Sequence, residues 1–173
     1  MINHNILLYD LLDRTMNVDF VGKNLVVNYT EGDLSELSRK LNDSATKYPI
    51  IWLQSGYSVE RSIQPIQTKI ENAKIFFIHK GSQTDRYEKR YSTTYQEVLY
   101  NLLNKFDKVI RKEKGISASN TDRFTTFPFN DTTQIESGGK GEQRLTVTDF
   151  WDALLLETDL IITDQCFPQL IIK

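Results

Sequence analysis

Carboxylates near the end of the chain are the first side chains whose type and spacing could support chemistry. Asp149 with Asp152, and Glu157 with Asp159, form pairs of the kind that general acid and base work or a divalent cation would use. Residues two apart on a strand share a face, so Glu157 and Asp159 point the same way. A solvated or subunit-facing sheet surface accounts for them better than a reaction centre does. His4 and His79 have no His or Cys beside them to complete a ligand pair, and His79, closing an apolar run, is expected as a strand-end or surface histidine. The run GGKG at Gly138, Gly139, Lys140 and Gly141 lacks the distant upstream glycine, the following Ser or Thr and the strand-to-helix setting of a phosphate loop, so it reads as a flexible loop. Cys166 is the only cysteine; it can form no intrachain disulfide or multi-cysteine zinc site, and beside Phe167 it is expected as a buried, inert thiol. The mixed-sign run Asp85, Arg86, Glu88, Lys89 and Arg90 (DRYEKR) reads as a solvated loop. These residues together assign no catalytic group, no cofactor and no metal.

The elements that would position such groups follow from periodicity. Residues 2–16 suit a short amphipathic helix through Ile6, Leu7, Tyr9, Leu11 and Leu12. Residues 24–29 (NLVVNY) read as a strand closed by a turn at Thr30, Glu31 and Gly32. Asp33 and Glu36 then make a capping box for a helix whose buried stripe is Leu34, Leu37 and Leu41. Pro49 ends that helix, and IIWL at 50–53 is a short buried strand. Residues 62–70 alternate imperfectly, with Pro65 fit only for an edge strand or bulge, while 73–79 (AKIFFIH) are a clearer strand. The spacing of Tyr95, Val98, Leu99, Leu102, Leu103, Phe106, Val109 and Ile110 predicts the main core helix over 94–114, capped by Thr94 with Glu97 and stopped at Gly115. Residues 145–162 return to strand character with a bend near Asp152, and 167–172 add a last short strand. Trp52 and Trp151 lie in strand-like runs, as core or interface aromatics do.

Length and composition set the frame. With 173 residues, 39% of them hydrophobic and 25% charged, the chain is expected to fold as one domain over 1–173. The net charge of -2 gives no general affinity for phosphate backbones. No apolar stretch approaches the ~20 residues that span a bilayer, and the start lacks a basic, cleavable leader, so a cytosolic product is expected. The fold class read from these elements is α+β: a mostly antiparallel sheet against two or three helices. Residues 116–144 form an extended loop or arm within it. Phe124, Phe127 and Phe129 either anchor that arm on a neighbour or cover the domain's own core.

The order of these features resembles the tail-terminator and tail-completion proteins of phages that infect Bacteroidetes, and the ring proteins of the crAss-like tail barrel. The resemblance is carried by KYPIIWL at 47–53, the strand at 73–79, the long helix and the closing TVTDFWDALLLETDL at 146–160. It implies a tail-terminator-like subunit of a homo-oligomeric ring of six or twelve copies in the virion neck or tail, assembled in the host cytoplasm. Its partners would be copies of itself, the portal, and other neck, ring and tail proteins, with no membrane. DNA would pass through the channel without sequence-specific contact. Phe124, Phe127, Phe129 and Trp151 are then the expected interface residues, and Glu157 and Asp159 the expected channel-facing ones. Two other functions stay open: a phage-encoded metal-dependent hydrolase or nuclease using the carboxylates, and a small intracellular binding module.

Overall fold

Two long strands rich in β-branched and aromatic residues organise the chain. In the computed structural model, which describes residues 4–43, 48–63, 66–82, 84–113, 115–118, 123–127 and 150–163, they are β6 (Ile66–Lys80) and β9 (Trp151–Thr163). They pair antiparallel from Gln67 opposite Thr163 to Lys80 opposite Trp151. Before them come α1 (His4–Leu12), β1 (Asn17–Phe20), β2 (Lys23–Val26), β3 (Asn28–Gly32), α2 (Leu34–Asp43), β4 (Ile50–Gln54) and β5 (Ser58–Ile63). Between them run α3 (Tyr87–Arg90), a π-helical stretch (Tyr91–Leu99), α4 (Tyr100–Lys112), β7 (Ile116–Ala118) and β8 (Arg123–Phe127). One edge of β6 carries β4 along its second half and β5 along its first. Strand β3 lies parallel to β4, joined to it through α2. The free edge of β9 takes β8 and then β7. The fold is thus the α+β class expected, with a mostly antiparallel seven-stranded sheet.

Alternation gives the sheet two apolar faces, and each is covered separately. On one, Ile51, Leu53, Ile75, Phe77, Leu154 and Leu156 pack under α1, the π-helical stretch and α4. On the other, Ile50, Trp52, Phe76, Ile78, Trp151 and Leu155 pack under Leu34, Leu37 and Leu41 of α2. The start of α2 is fixed as the sequence indicates: Asp33 Oδ1 accepts the N–H groups of Ser35 at 2.9 Å and Glu36 at 3.0 Å. The Glu36 side chain pairs with Arg39 and does not return to the cap.

Several boundaries differ from expectation, each for a tertiary reason. Thr30, Glu31 and Gly32 continue β3, because pairing with Trp52, Leu53 and Gln54 of β4 outweighs their turn preference. The imperfect alternation over 62–70 is the end of one strand and the start of the next, Ile63 facing Ile66 across the hairpin, with 64 and 65 outside the described residues. The helical run begins at Tyr87, so Thr94 is a buried mid-helix residue and no cap, and the charged run DRYEKR enters the helix instead of forming a loop. No register break falls at Asp152; the irregularity lies on β6 between Ile70 and Ala73. Within the range read as an arm, β7 and β8 are strands on the chain's own sheet, and 128–144 lie outside the described residues.

Candidate functional site

The β5–β6 hairpin projects an apolar surface beyond the packed core. Val59 faces Ile70 and Ile63 faces Ile66, so all four share one face of the hairpin. Ile70 is fully buried, whereas Val59 is 40% exposed, Ile66 46% and Ile63 83%. Arg61 and Thr68 face each other on the same side between these two pairs, so the exposed tip formed by Ile63 and Ile66 is set off from the core by a polar pair. Among the described residues β5 pairs with β6 alone, so its other side is a sheet edge. The edge at β3 is managed differently. Asp13 Oδ1 accepts the Tyr29 N–H at 2.7 Å, and just before it Val27 bonds to Arg14 and Met16, so the segment after α1 covers that side.

The residues singled out from the sequence separate. Trp151, expected at an interface, is 5% exposed and packs with Trp52 and Phe76, so it is a core residue and offers no surface. Glu157 and Asp159 do share a half-exposed face, but both sit among lysines. Glu157 lies opposite Lys74, and Asp159 pairs with Lys69 at 3.4 Å. Asp159 also closes the bulge: its Oδ1 accepts the N–H of Asn72 at 2.9 Å, where Asn72 turns to φ 56°. Phe124 and Phe127 stand on β8 opposite Leu156 and Ala153, with their side chains outside the described residues. Phe129, Asp149, Cys166 and the glycines 138, 139 and 141 also lie outside them.

Two polar clusters escaped the sequence reading. In the first, Arg90 at the end of α3 grips Asp152 of β9 by two hydrogen bonds, the Nε one at 3.3 Å. Asp152 is wholly buried and Arg90 is 7% exposed. Gly81 makes room for this pair, since a Cβ there would lie 2.9 Å from Asp152 Oδ2. Tyr95, on the π-helical stretch that follows, is driven well above its usual range, first by burial and then by the Asp152 charge. His79, opposite Asp152 in register, is buried with Phe20 and Tyr48 edge-on to its ring, and burial lowers it to about 4. The expected surface histidine is therefore an internal one, its Nδ1 without a hydrogen bond.

The second cluster lies where α1 meets β3 and the start of β5. Tyr57 donates its hydroxyl proton to Glu31 Oε1, and His4 Nε2 lies 3.1 Å from the same hydroxyl. Burial raises Tyr57 above its usual range and lowers His4. The signal that could have found this cluster is the Tyr29–x–Glu31 spacing on one strand face, hidden because 30–32 read as a turn. Among the described residues no group of three or more His, Cys, Asp or Glu side chains is arranged to hold a metal ion, and no helix is long and apolar enough to cross a membrane. Comparisons with family models, with curated proteins and with solved structures return no match to this chain.

Proposed function

We propose that this chain is a structural subunit that assembles with copies of itself into a ring in the neck or tail of a tailed bacteriophage, joining the portal side to tail components around the DNA channel. The observation that carries the reading is the hairpin: Val59, Ile63 and Ile66 are exposed on one face of a strand that, among the described residues, pairs with β6 alone. Single exposed aliphatics are ordinary, but several on one face of an edge strand are what a subunit contact covers. A closed ring needs two different, matching patches on each subunit; the hairpin supplies one. The order of sequence features shared with tail-terminator and tail-barrel ring proteins supports the same reading. Glu157 and Asp159 facing the channel belongs to it too, with Lys69 and Lys74 tempering the negative charge DNA would meet.

The test is assembly and location together. Native mass spectrometry of the purified protein, alone and with the portal, is expected to show a closed oligomer of six or twelve copies, and peptides of the chain are expected in purified virions at matching copy number. A chain that stays monomeric with the portal and is missing from particles would end the proposal.

A further inference from the structure

We infer that residues 167–172 of one copy add a strand to the outer edge of β5 in a second copy, with Phe167 opposite Ile63 and Ile171 opposite Val59. The inference rests on the reading of the hairpin as a subunit contact, and it names the second, different patch that a head-to-tail contact needs. Among the described residues β5 pairs with β6 alone, and on its apolar face Val59 is 40% and Ile63 83% exposed. The chain leaves the sheet at the same end, since Thr163, where β9 stops, lies opposite Gln67 and one position from Ile66. The sequence then runs on as DQCFPQLIIK over 164–173, which lie outside the described residues. An apolar stretch thus starts beside an apolar strand edge, the pairing that strand addition uses.

Pattern sets the register. Laid out as a strand, Phe167, Gln169 and Ile171 share one side. Antiparallel to β5 they meet Ile63, Arg61 and Val59, which share the apolar face of the hairpin. Both strands then read apolar, polar, apolar, and matched cross-strand pairs are what stabilise a sheet. Gln169 brings a side-chain carbonyl oxygen to the Arg61 guanidinium, which has only donors to offer. Pro168 has no N–H to donate, so its backbone takes the side turned away from β5, as proline does on edge strands. Reach decides that the segment comes from a second copy. Within one chain it would have to cross from β9 past β6 and β5, three strand spacings or about 14 Å. The four steps from Thr163 to Phe167 span at most about 14 Å when fully extended. That leaves no length for rounding the β5–β6 turn and reversing direction, whereas a neighbouring copy has no such restriction.

The test uses the full chain and the fact that Cys166 is its only cysteine. In a Cys166→Ser background, Arg61→Cys with Gln169→Cys puts two thiols across the middle pair and keeps the apolar pairs on either side. Mild oxidation of the purified protein, alone and with the portal, is expected to give a ladder of dimers and larger products on denaturing gels. The yield is expected to be at least tenfold lower for Glu60→Cys with Gln169→Cys, whose side chains point to opposite faces. A disulfide confined to monomers puts the segment on its own chain and overturns the inference, as does equal cross-linking of the two pairs or none of either. A second variant leaves the cysteine untouched: Phe167→Asp with Ile171→Asp is expected to weaken assembly at least tenfold by sedimentation velocity at an unchanged far-UV spectrum, and assembly equal to the parent's overturns the inference. A closed ring of six or twelve copies without ladders ends this inference and leaves the ring. Ladders from copies that native mass spectrometry finds in no closed ring uphold the strand addition and end the ring.

Discussion

His79 shows what burial does to a single titratable group in this sheet. Among the described residues no charged group offsets its desolvation, and burial lowers it from 6.5 to about 4. Below 6.5 the unfolded chain takes up the proton that the folded chain refuses, so the stability due to a neutral His79 is fully present above 6.5 and is lost as the pH falls toward 4. At 1.36 kcal/mol for each unit between the two states, this loss reaches roughly 2 to 3 kcal/mol by pH 4.5. His79→Phe keeps an aromatic ring between Phe20 and Tyr48 and removes the titration. Urea unfolding at pH 7.0, 5.5 and 4.5 is expected to show a smaller acid loss in the variant than in the parent; identical losses would refute this account. His79 was visible in the sequence as the end of an apolar strand, but its depth was not, because depth depends on Phe20 and Tyr48 from distant segments. Asp152 was hidden for the same reason: nothing near it in sequence announces that Arg90 will neutralise it inside the core.

Elements with a local signal were legible, and elements whose bounds are set by pairing were less so. The Asp33 cap and the apolar stripe of α4 each depend on residues within one or two turns, and each stands where the spacing put it; the IIWL strand, though paired with distant β3 and β6, was legible because its run is apolar throughout. Strand β3 and the β5–β6 hairpin depend on partners far away in sequence, and there local turn and alternation signals misled. The β1–β2 hairpin offers a sharper case. Phe20 faces Lys23, leaving Val21 and Gly22 as a two-residue loop with φ of 49° and 70°. Such loops favour Asn-Gly, because a β-branched residue at positive φ is strained. Val21 is 75% exposed and contributes little packing to offset that strain. Val21→Asn is therefore expected to stabilise the protein by about 1 kcal/mol, read as a higher urea midpoint at unchanged slope; a lower midpoint would mean that Val21 has contacts this reasoning omits.

Which stretch of an apolar face stays uncovered is a property of the complete molecule. Ile63 and Ile66 look the same in sequence as Ile70 and Ile75, yet the first two are exposed and the last two are buried, because among the described residues no helix packs on the hairpin tip. No periodicity could have picked out the exposed strip at the hairpin tip, whereas the carboxylates that periodicity did pick out turned out to be tied to lysines and a bulge. The strip makes a prediction that separates a subunit contact from an ordinary surface. Replacing both residues, Ile63→Asp with Ile66→Asp, removes apolar area that the isolated subunit leaves in water, so its unfolding free energy is expected to change by no more than about 1 kcal/mol. Assembly is expected to fall sharply, since burying two carboxylates against a neighbour without partners is unfavourable. Sedimentation velocity over a range of concentrations and urea unfolding of the same samples read the two effects apart. Assembly equal to that of the parent would remove the hairpin from the contact. A core-sized loss of stability, about 3 kcal/mol or more, would mean instead that the two isoleucines are packed within the subunit itself.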